Sequence, residues 1–211
     1  DLYQMHWPDT VVPIEESLKA FDRLVQSGKV RYLGTSNDTA YGTTKALMSS
    51  ENKGYARFES IQNNFSLLNR RFLDELSTVA EKEQISLLPY SPLAGGVLSG
   101  KYNQANNHEG RFSSYVNATD KRQRMMAERF VNDKTLLATQ KYLKIAQEAG
   151  LHPVTMATAW SKQFSFVAST IIGATTPEQL DATLAAMDLV LSDEVLKACD
   201  KVHAEILYPM G

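Results

Sequence analysis

The 211-residue chain contains one cysteine, Cys199, so no internal disulfide can form, and the composition fits a reducing compartment such as the cytoplasm. Cys199 stands at helical spacing with Val195 and Val202, which predicts buried packing rather than reactivity. No apolar run reaches the length of a membrane span, and none reads as a signal peptide. Neither sign of charge dominates: the formal net charge is −2, which removes any electrostatic case for nucleic acid or an anionic membrane as partner. The four histidines, His6, His108, His152 and His203, lack metal-ligand spacing, and no metal is expected. What is present is 43% hydrophobic residues without a linker or low-complexity tract. That supports one sizeable core, read as a single domain over residues 1–211.

The apolar pattern alternates between short runs and amphipathic stretches. Strands are expected at 2–6, 30–35, 58–62 and 85–90, starting roughly every 28 residues, each followed by a helix, which is the rhythm of βα units around a parallel sheet. The first helix follows Pro13, carries Ile14, Leu18, Phe21 and Val25 on one face, and stops at Gly28. The second runs about 41–52 and closes at Gly54. Residues 102–132 break the rhythm: they are polar, contain Asn106-Asn107 and a basic cluster, and read as an inserted loop with a short helix near 122–130. Helices are expected at 135–149 and 154–163, a fifth strand at 169–173, a helix at 177–187, and a last helix capped by Ser192.

One stretch organises the rest: Ser86-Leu87-Leu88-Pro89-Tyr90-Ser91-Pro92-Leu93-Ala94-Gly95-Gly96-Val97-Leu98-Ser99-Gly100-Lys101-Tyr102. A buried strand opens into a loop with two prolines, three glycines and three hydroxyls before a lysine. Glycines allow a ligand close to the backbone, and free amides with a lysine suit a phosphate. Tyr90 offers a flat ring for stacking. A plain turn-rich surface loop is the other reading of the same residues.

The run closely resembles the strand-seven loop of the aldo-keto reductases, barrel enzymes that transfer hydride between NADPH and carbonyl compounds. Leu2-Tyr3-Gln4-Met5-His6-Trp7-Pro8 is similar to the family's fourth strand, Gly34-Thr35-Ser36-Asn37 and Ile61-Gln62 to its next two strand ends, and Ile171-Ile172-Gly173-Ala174-Thr175-Thr176-Pro177-Glu178-Gln179-Leu180 to its last strand and helix start. The resemblance covers nearly the whole chain. It implies part of a (β/α)8 TIM barrel: about five βα units, strands four to eight, and a C-terminal helix, with the first three strands lying outside these residues.

It also implies roles. His6 would donate a hydrogen bond to the substrate carbonyl, although a strand-end histidine also serves as a structural hydrogen-bonder. Trp7 would line the substrate pocket. Ser36, Asn37 and Gln62 would hold the nicotinamide carboxamide, and Tyr90 would pack on its ring. Ser91, Leu93, Gly95, Ser99 and Lys101 would surround the pyrophosphate and ribose. Arg111 is either a solvated loop charge or an anchor for the adenosine 2′-phosphate. Gly173 and Gln179 would lie near the adenine, while Thr176 and Gln179 also form a capping-box pattern that needs no ligand. Ala182-Thr183 stand where the family commonly has Glu-Asn.

The expected function is therefore NADPH-dependent reduction of aldehydes or ketones to alcohols, without metal. The acid that protonates the alkoxide, a tyrosine tuned by a lysine and an aspartate, is expected in the missing N-terminal part, so the 211 residues alone are expected to be inactive. A second reading is a slow-turnover NADP(H)-binding redox-sensing subunit similar to the potassium-channel β subunits. Open edges at the 2–6 and 169–173 strands would favour self-association.

Overall fold

A computed structural model of the chain describes residues 1–104 and 110–210; Asn106-Asn107 and His108 lie outside the described residues. The chain folds as two compact units. The first comprises Asp1–Asn64, Phe72–Tyr90 and Phe164–Ser169; the second comprises Phe65–Arg71, Ser91–Gln163 and Thr170–Gly211.

The first unit is the βα repeat that the apolar pattern predicts. Strands β1 (Leu2–Met5), β2 (Tyr32–Ser36), β3 (Phe58–Gln62) and β4 (Ser86–Leu87) form one parallel sheet in chain order. They alternate with helices α1 (Ile14–Gln26), α2 (Ala40–Lys53) and α3 (Leu76–Glu83). Each helix has an identifiable end. Thr39 caps α2 by accepting the Gly42 amide, and Gly54 closes it in the left-handed region at φ 65°. Leu18 of α1 is fully buried, and Phe21 bridges Tyr3 of β1 and Phe58 of β3 with ring centroids 5.7 Å and 6.2 Å apart. Leu33, Phe58, Ile61 and Leu87 complete the sheet's share of the core.

Two strand expectations need correction. The strand expected over 85–90 pairs regularly only at Ser86 and Leu87. Pro89 carries no amide to continue the ladder, although a single bridge re-forms between Asn64 and Tyr90. Residues 169–173 form no strand at all. Their β-branched apolar residues read as strand-forming, but a strand needs a partner ladder, and Leu87 is taken by an earlier segment: its amide donates to Phe166 O at 2.7 Å, and its carbonyl accepts from Ala168 N at 3.0 Å. Ile171 and Ile172 are left more than one-third exposed. The open strand edge expected at 169–173 is therefore not formed.

The second unit is helical: α4 (Lys121–Phe130), α5 (Asp133–Glu148), α6 (Pro153–Lys162), α7 (Glu178–Leu184) and α8 (Asp193–Glu205). Asn132 and Thr135 form a reciprocal capping box on α5, and Ser192 caps α8 as its position predicts. Helix α6 is buried along its length from Val154 to Ser161. Its Trp160 packs on Phe65 at 4.9 Å and beneath the guanidinium of Arg70 at 4.5 Å. Arg70 is itself buried; it donates to Asp200 Oδ1 at 2.6 Å and to the Cys199 carbonyl at 3.0 Å, tying the chain before the first unit's return to α8. Burial pushes the Cys199 thiol up to about 11 and the neighbouring Tyr142 phenol, which donates to Leu67 O, up to about 12. Cys199 is thus packed and protonated, as its spacing predicts.

The segment expected as an inserted loop is more anchored than its polarity suggests. Phe112 is buried, stacks on Phe130 of α4 at 4.8 Å, and receives the Tyr102 hydroxyl on its own backbone amide, which donates at 3.2 Å. Its ring lies over Gly95, whose φ is 64° and where any Cβ would collide with the ring. Gly95→Ala combines a left-handed alanine, about 1–2 kcal/mol, with overpacking of about 1–3 kcal/mol. The urea unfolding midpoint of this variant is expected to fall clearly below that of the unaltered chain; an unchanged midpoint would show that Phe112 does not depend on the bare glycine.

Candidate functional site

In the first unit, the C-terminal ends of the strands converge on one side chain. Asn37 follows β2 with φ 55°, a left-handed conformation that asparagine tolerates better than most residues. Its backbone amide donates to Gln62 O at 3.1 Å. Its side-chain amide donates to the His6 carbonyl at 3.0 Å and to Ser36 Oγ at 3.1 Å, while its carboxamide oxygen accepts the Tyr90 hydroxyl at 2.7 Å. The Ser36 hydroxyl in turn donates to Gln62 O at 2.7 Å. His6, Ser36, Asn37, Gln62 and Tyr90, chosen from the sequence at four separate strand ends, are therefore one connected group.

The connection changes what these residues can offer. Both N–H bonds of the Asn37 carboxamide and the hydroxyl proton of Ser36 are spent inside the protein. What remains toward a ligand is acceptor capacity, one lone pair on each oxygen. The Gln62 side chain is half-buried and has no partner among the described residues, so its amide supplies the free donor. His6 and Trp7 lie beyond the end of β1, both exposed, with rings 5.9 Å apart. Trp7 is 60% exposed, which suits a wall for a ligand better than a core position.

Asp38 is a member of this group that the sequence pattern does not single out. It is buried directly after Asn37, accepts Thr35 Oγ1–H at 3.0 Å and the Thr39 amide at 2.8 Å, and its own carbonyl accepts from Asn63 Nδ2 at 3.1 Å. Removal from water raises its carboxyl above the ordinary aspartate value, and the two hydrogen bonds offset this only in part. A Ser-Asn-Asp-Thr turn before a helix resembles ordinary capping chemistry, so only the fold reveals the burial.

The second unit carries a cleft of about 1080 Å³. Ser91, Leu93, Gly95, Ser99, Lys101, Arg111, Gly173 and Gln179, the remaining site residues chosen from sequence, all line it. Three consecutive-loop glycines have positive φ: Gly95 at 64°, Gly96 at 95° and Gly100 at 82°. At Gly96 a Cβ would come within 2.9 Å of Lys101 Cε, so the bare backbone leaves the lysine its place against the loop. The Ser99 hydroxyl donates back to Gly96 O at 2.7 Å and holds this turn. Arg111 is exposed on the cleft rim beside Phe112, Tyr115 and the Met126 thioether. The capping box expected from Thr176 and Gln179 is not formed. Pro177 precedes α7, and the Gln179 carboxamide oxygen instead accepts from the Thr175 amide at 3.0 Å and the Thr175 hydroxyl at 3.3 Å. Both side chains are taken by other neighbours, Gln179 by Thr175 and the Thr176 hydroxyl by Glu178, so neither is free for the reciprocal box. The second unit's cleft, with a lysine, an arginine and a glycine-rich turn, fits an elongated anion; the first unit's acceptor-rich strand ends, with a free glutamine amide, fit a carboxamide.

The model of the aldo/keto reductase family matches residues 1–204. This chain belongs to that family. It is 35% identical to Protein tas of Escherichia coli K12 over 99% of this chain and 63% of that protein. It is 32% identical to a putative aryl-alcohol dehydrogenase of Schizosaccharomyces pombe over 98% of this chain and 56% of that protein. A putative voltage-gated potassium channel subunit beta from the same yeast is 29% identical over 96% of this chain and 58% of that protein. The chain thus spans about three-fifths of the length of these relatives. No helix among the described residues is long and apolar enough to cross a membrane.

The Asp38 carboxyl gives a pH-dependent expectation. Its folded-state pKa lies above the unfolded one, so the ionised form is penalised in the folded protein at neutral pH, and that penalty disappears as pH falls through the raised value toward 3.8. Asp38→Asn forfeits one of the two accepting oxygens, and its stability relative to the unaltered chain should be most favourable at pH 7 and decline as pH drops toward 4. Urea titrations across that range check the sign; a relative stability that grows on acidification would contradict it.

Proposed function

We propose that the chain carries the NADP(H)-binding and carbonyl-orienting residues of a reductase that converts aldehydes or ketones to alcohols, in a barrel completed by further strands of a longer polypeptide. The observation that carries this reading is the cleft of the second unit, where Lys101 and Arg111 stand with a loop of left-handed glycines. Lys101 would hold the phosphates, Ser99, whose hydroxyl proton is spent on Gly96 O, would offer the ribose an acceptor, and Arg111 would hold the 2′-phosphate, a dianion that a guanidinium meets with paired N–H groups.

In the first unit, the spare lone pairs of Asn37 and Ser36 accept from a carboxamide NH2, while the Gln62 amide donates to its carbonyl. Tyr90 is pinned by its hydroxyl to Asn37, so its ring is set before a heteroaromatic packs on it. His6 has its backbone held by Asn37 and its ring exposed, so an imidazole N–H can donate to a substrate carbonyl and polarise it. The reduced cofactor, when bound, supplies the hydride. Trp7 shields one side of the reacting carbonyl from water.

A regulatory NADP(H)-binding subunit with slow turnover is the second reading, favoured by the similarity to the putative potassium channel subunit beta. Steady-state turnover of the full-length protein separates the two: with a small aldehyde a reductase oxidises NADPH rapidly, whereas a sensor does so only slowly.

The cofactor assignment is checked by fluorescence titration of this chain with NADPH and NADH. Losing one charge-assisted contact costs about 1.5–3 kcal/mol, or roughly 10- to 100-fold in Kd. Arg111→Ala is expected to weaken NADPH by that factor and NADH less than about twofold. Equal weakening of both would refute the 2′-phosphate role.

A further inference from the structure

Helix α6 begins with an unusual cap. Serine, threonine, aspartate and asparagine are the side chains that serve best before a helix, because their short oxygens reach the first free amides. Here the position is His152. Pro153 has no amide, so the first N–H needing a partner belongs to Val154, and it donates to His152 Nδ1 at 3.3 Å. A nitrogen that accepts a hydrogen bond is unprotonated. In a neutral imidazole the proton then sits on Nε2, at the far side of the ring.

The cap therefore fixes both the orientation and the tautomer of this ring. It leaves one N–H donor, Nε2–H, with no partner among the described residues. His152 is exposed, and it lines the same cleft as Lys101, Arg111 and Gln179. Gln179 has turned its carboxamide oxygen inward to Thr175, away from any competition for that donor. Glu178, a carboxylate lining the cleft, accepts from its own backbone amide and from the Thr176 hydroxyl, and makes no hydrogen bond to His152 among the described residues. A short hydroxyl would cap α6 as well or better. An imidazole adds reach and a donor.

We infer that His152 is a specificity-determining residue of this cleft, its Nε2–H donating to an oxygen of a phosphate at the 2′ position of a bound adenosine. The inference rests on the reading of the cleft as a nucleotide site. It gives the 2′-phosphate a neutral donor whose direction is set by a helix cap, in the same cleft as the charge of Arg111.

The test uses adenosine 2′,5′-bisphosphate and adenosine 5′-monophosphate, probes that differ only in the 2′-phosphate, titrated calorimetrically into the unaltered chain and into His152→Ser. Serine restores the cap on Val154 but removes the second donor, so the helix is retained; a thermal midpoint within a few degrees of the unaltered chain verifies this, with His152→Ala as the capless reference. The expected result is that His152→Ser weakens the bisphosphate about tenfold and the monophosphate less than twofold. Equal affinity of the two proteins for the bisphosphate, or equal loss for both probes, overturns the role of His152 while leaving the cleft's nucleotide reading intact. Failure of the bisphosphate to bind the unaltered chain overturns both together.

Discussion

The geometry of the first unit's strand ends depends on the carboxamide of Asn37. A single planar group with two donors and one double acceptor reaches the carbonyl after β1, the hydroxyl at the end of β2 and the phenol after β4, while its backbone amide holds the end of β3. Each such bond contributes only about 0.5–1.5 kcal/mol net. Their value lies in shared position: displacing any strand end breaks a bond to the same residue. The left-handed backbone at Asn37 is the condition for this, since a further extended residue would project its side chain to one face of the sheet rather than across the neighbouring strand ends.

That arrangement makes the site an acceptor surface with one free amide. Hydrogen bonds inside the group spend its donors before a ligand arrives, so a ligand must bring donors to Asn37 and Ser36 and an acceptor to Gln62. A primary carboxamide satisfies both requirements with one planar group. In the second unit the balance is reversed. Lys101, Arg111 and the His152 ring present donors, so that cleft suits an anion rich in acceptor oxygens.

Much of this was legible in the sequence because it depends on local chemistry. The strand Phe58–Gln62, the helix stop at Gly54 and the helix start at Ser192 are set by turn and cap residues, whose effect reaches only a few positions. That the candidate residues stand at or just after strand ends was legible because the βα rhythm places those ends. What the sequence hid are the consequences of long-range pairing. Ile171-Ile172 has a strand's composition, but Phe166 and Ala168 reach Leu87 first. Arg70 is a charged residue in a polar stretch, and nothing local foretells that Trp160 and Asp200, 90 and 130 positions away, will bury and neutralise it. Phe112 stands in a run that reads as solvated loop, and its burial depends on a glycine 17 residues earlier. Asp38 reads as a turn residue and is buried only because β2 and β3 close around it.

If the strand-end group and the glycine-rich cleft are cofactor-binding surfaces rather than structural features of the fold, bound cofactor must protect both. Hydrogen exchange followed by mass spectrometry, on this chain with and without saturating NADPH, addresses it directly. The account predicts slowed exchange at the amides of 91–101 and 173–179 and around Asn37 and Gln62, with α5 and α8 unchanged. Protection confined to the surface between α5 and α8, or no change at residues 91–101, would contradict it.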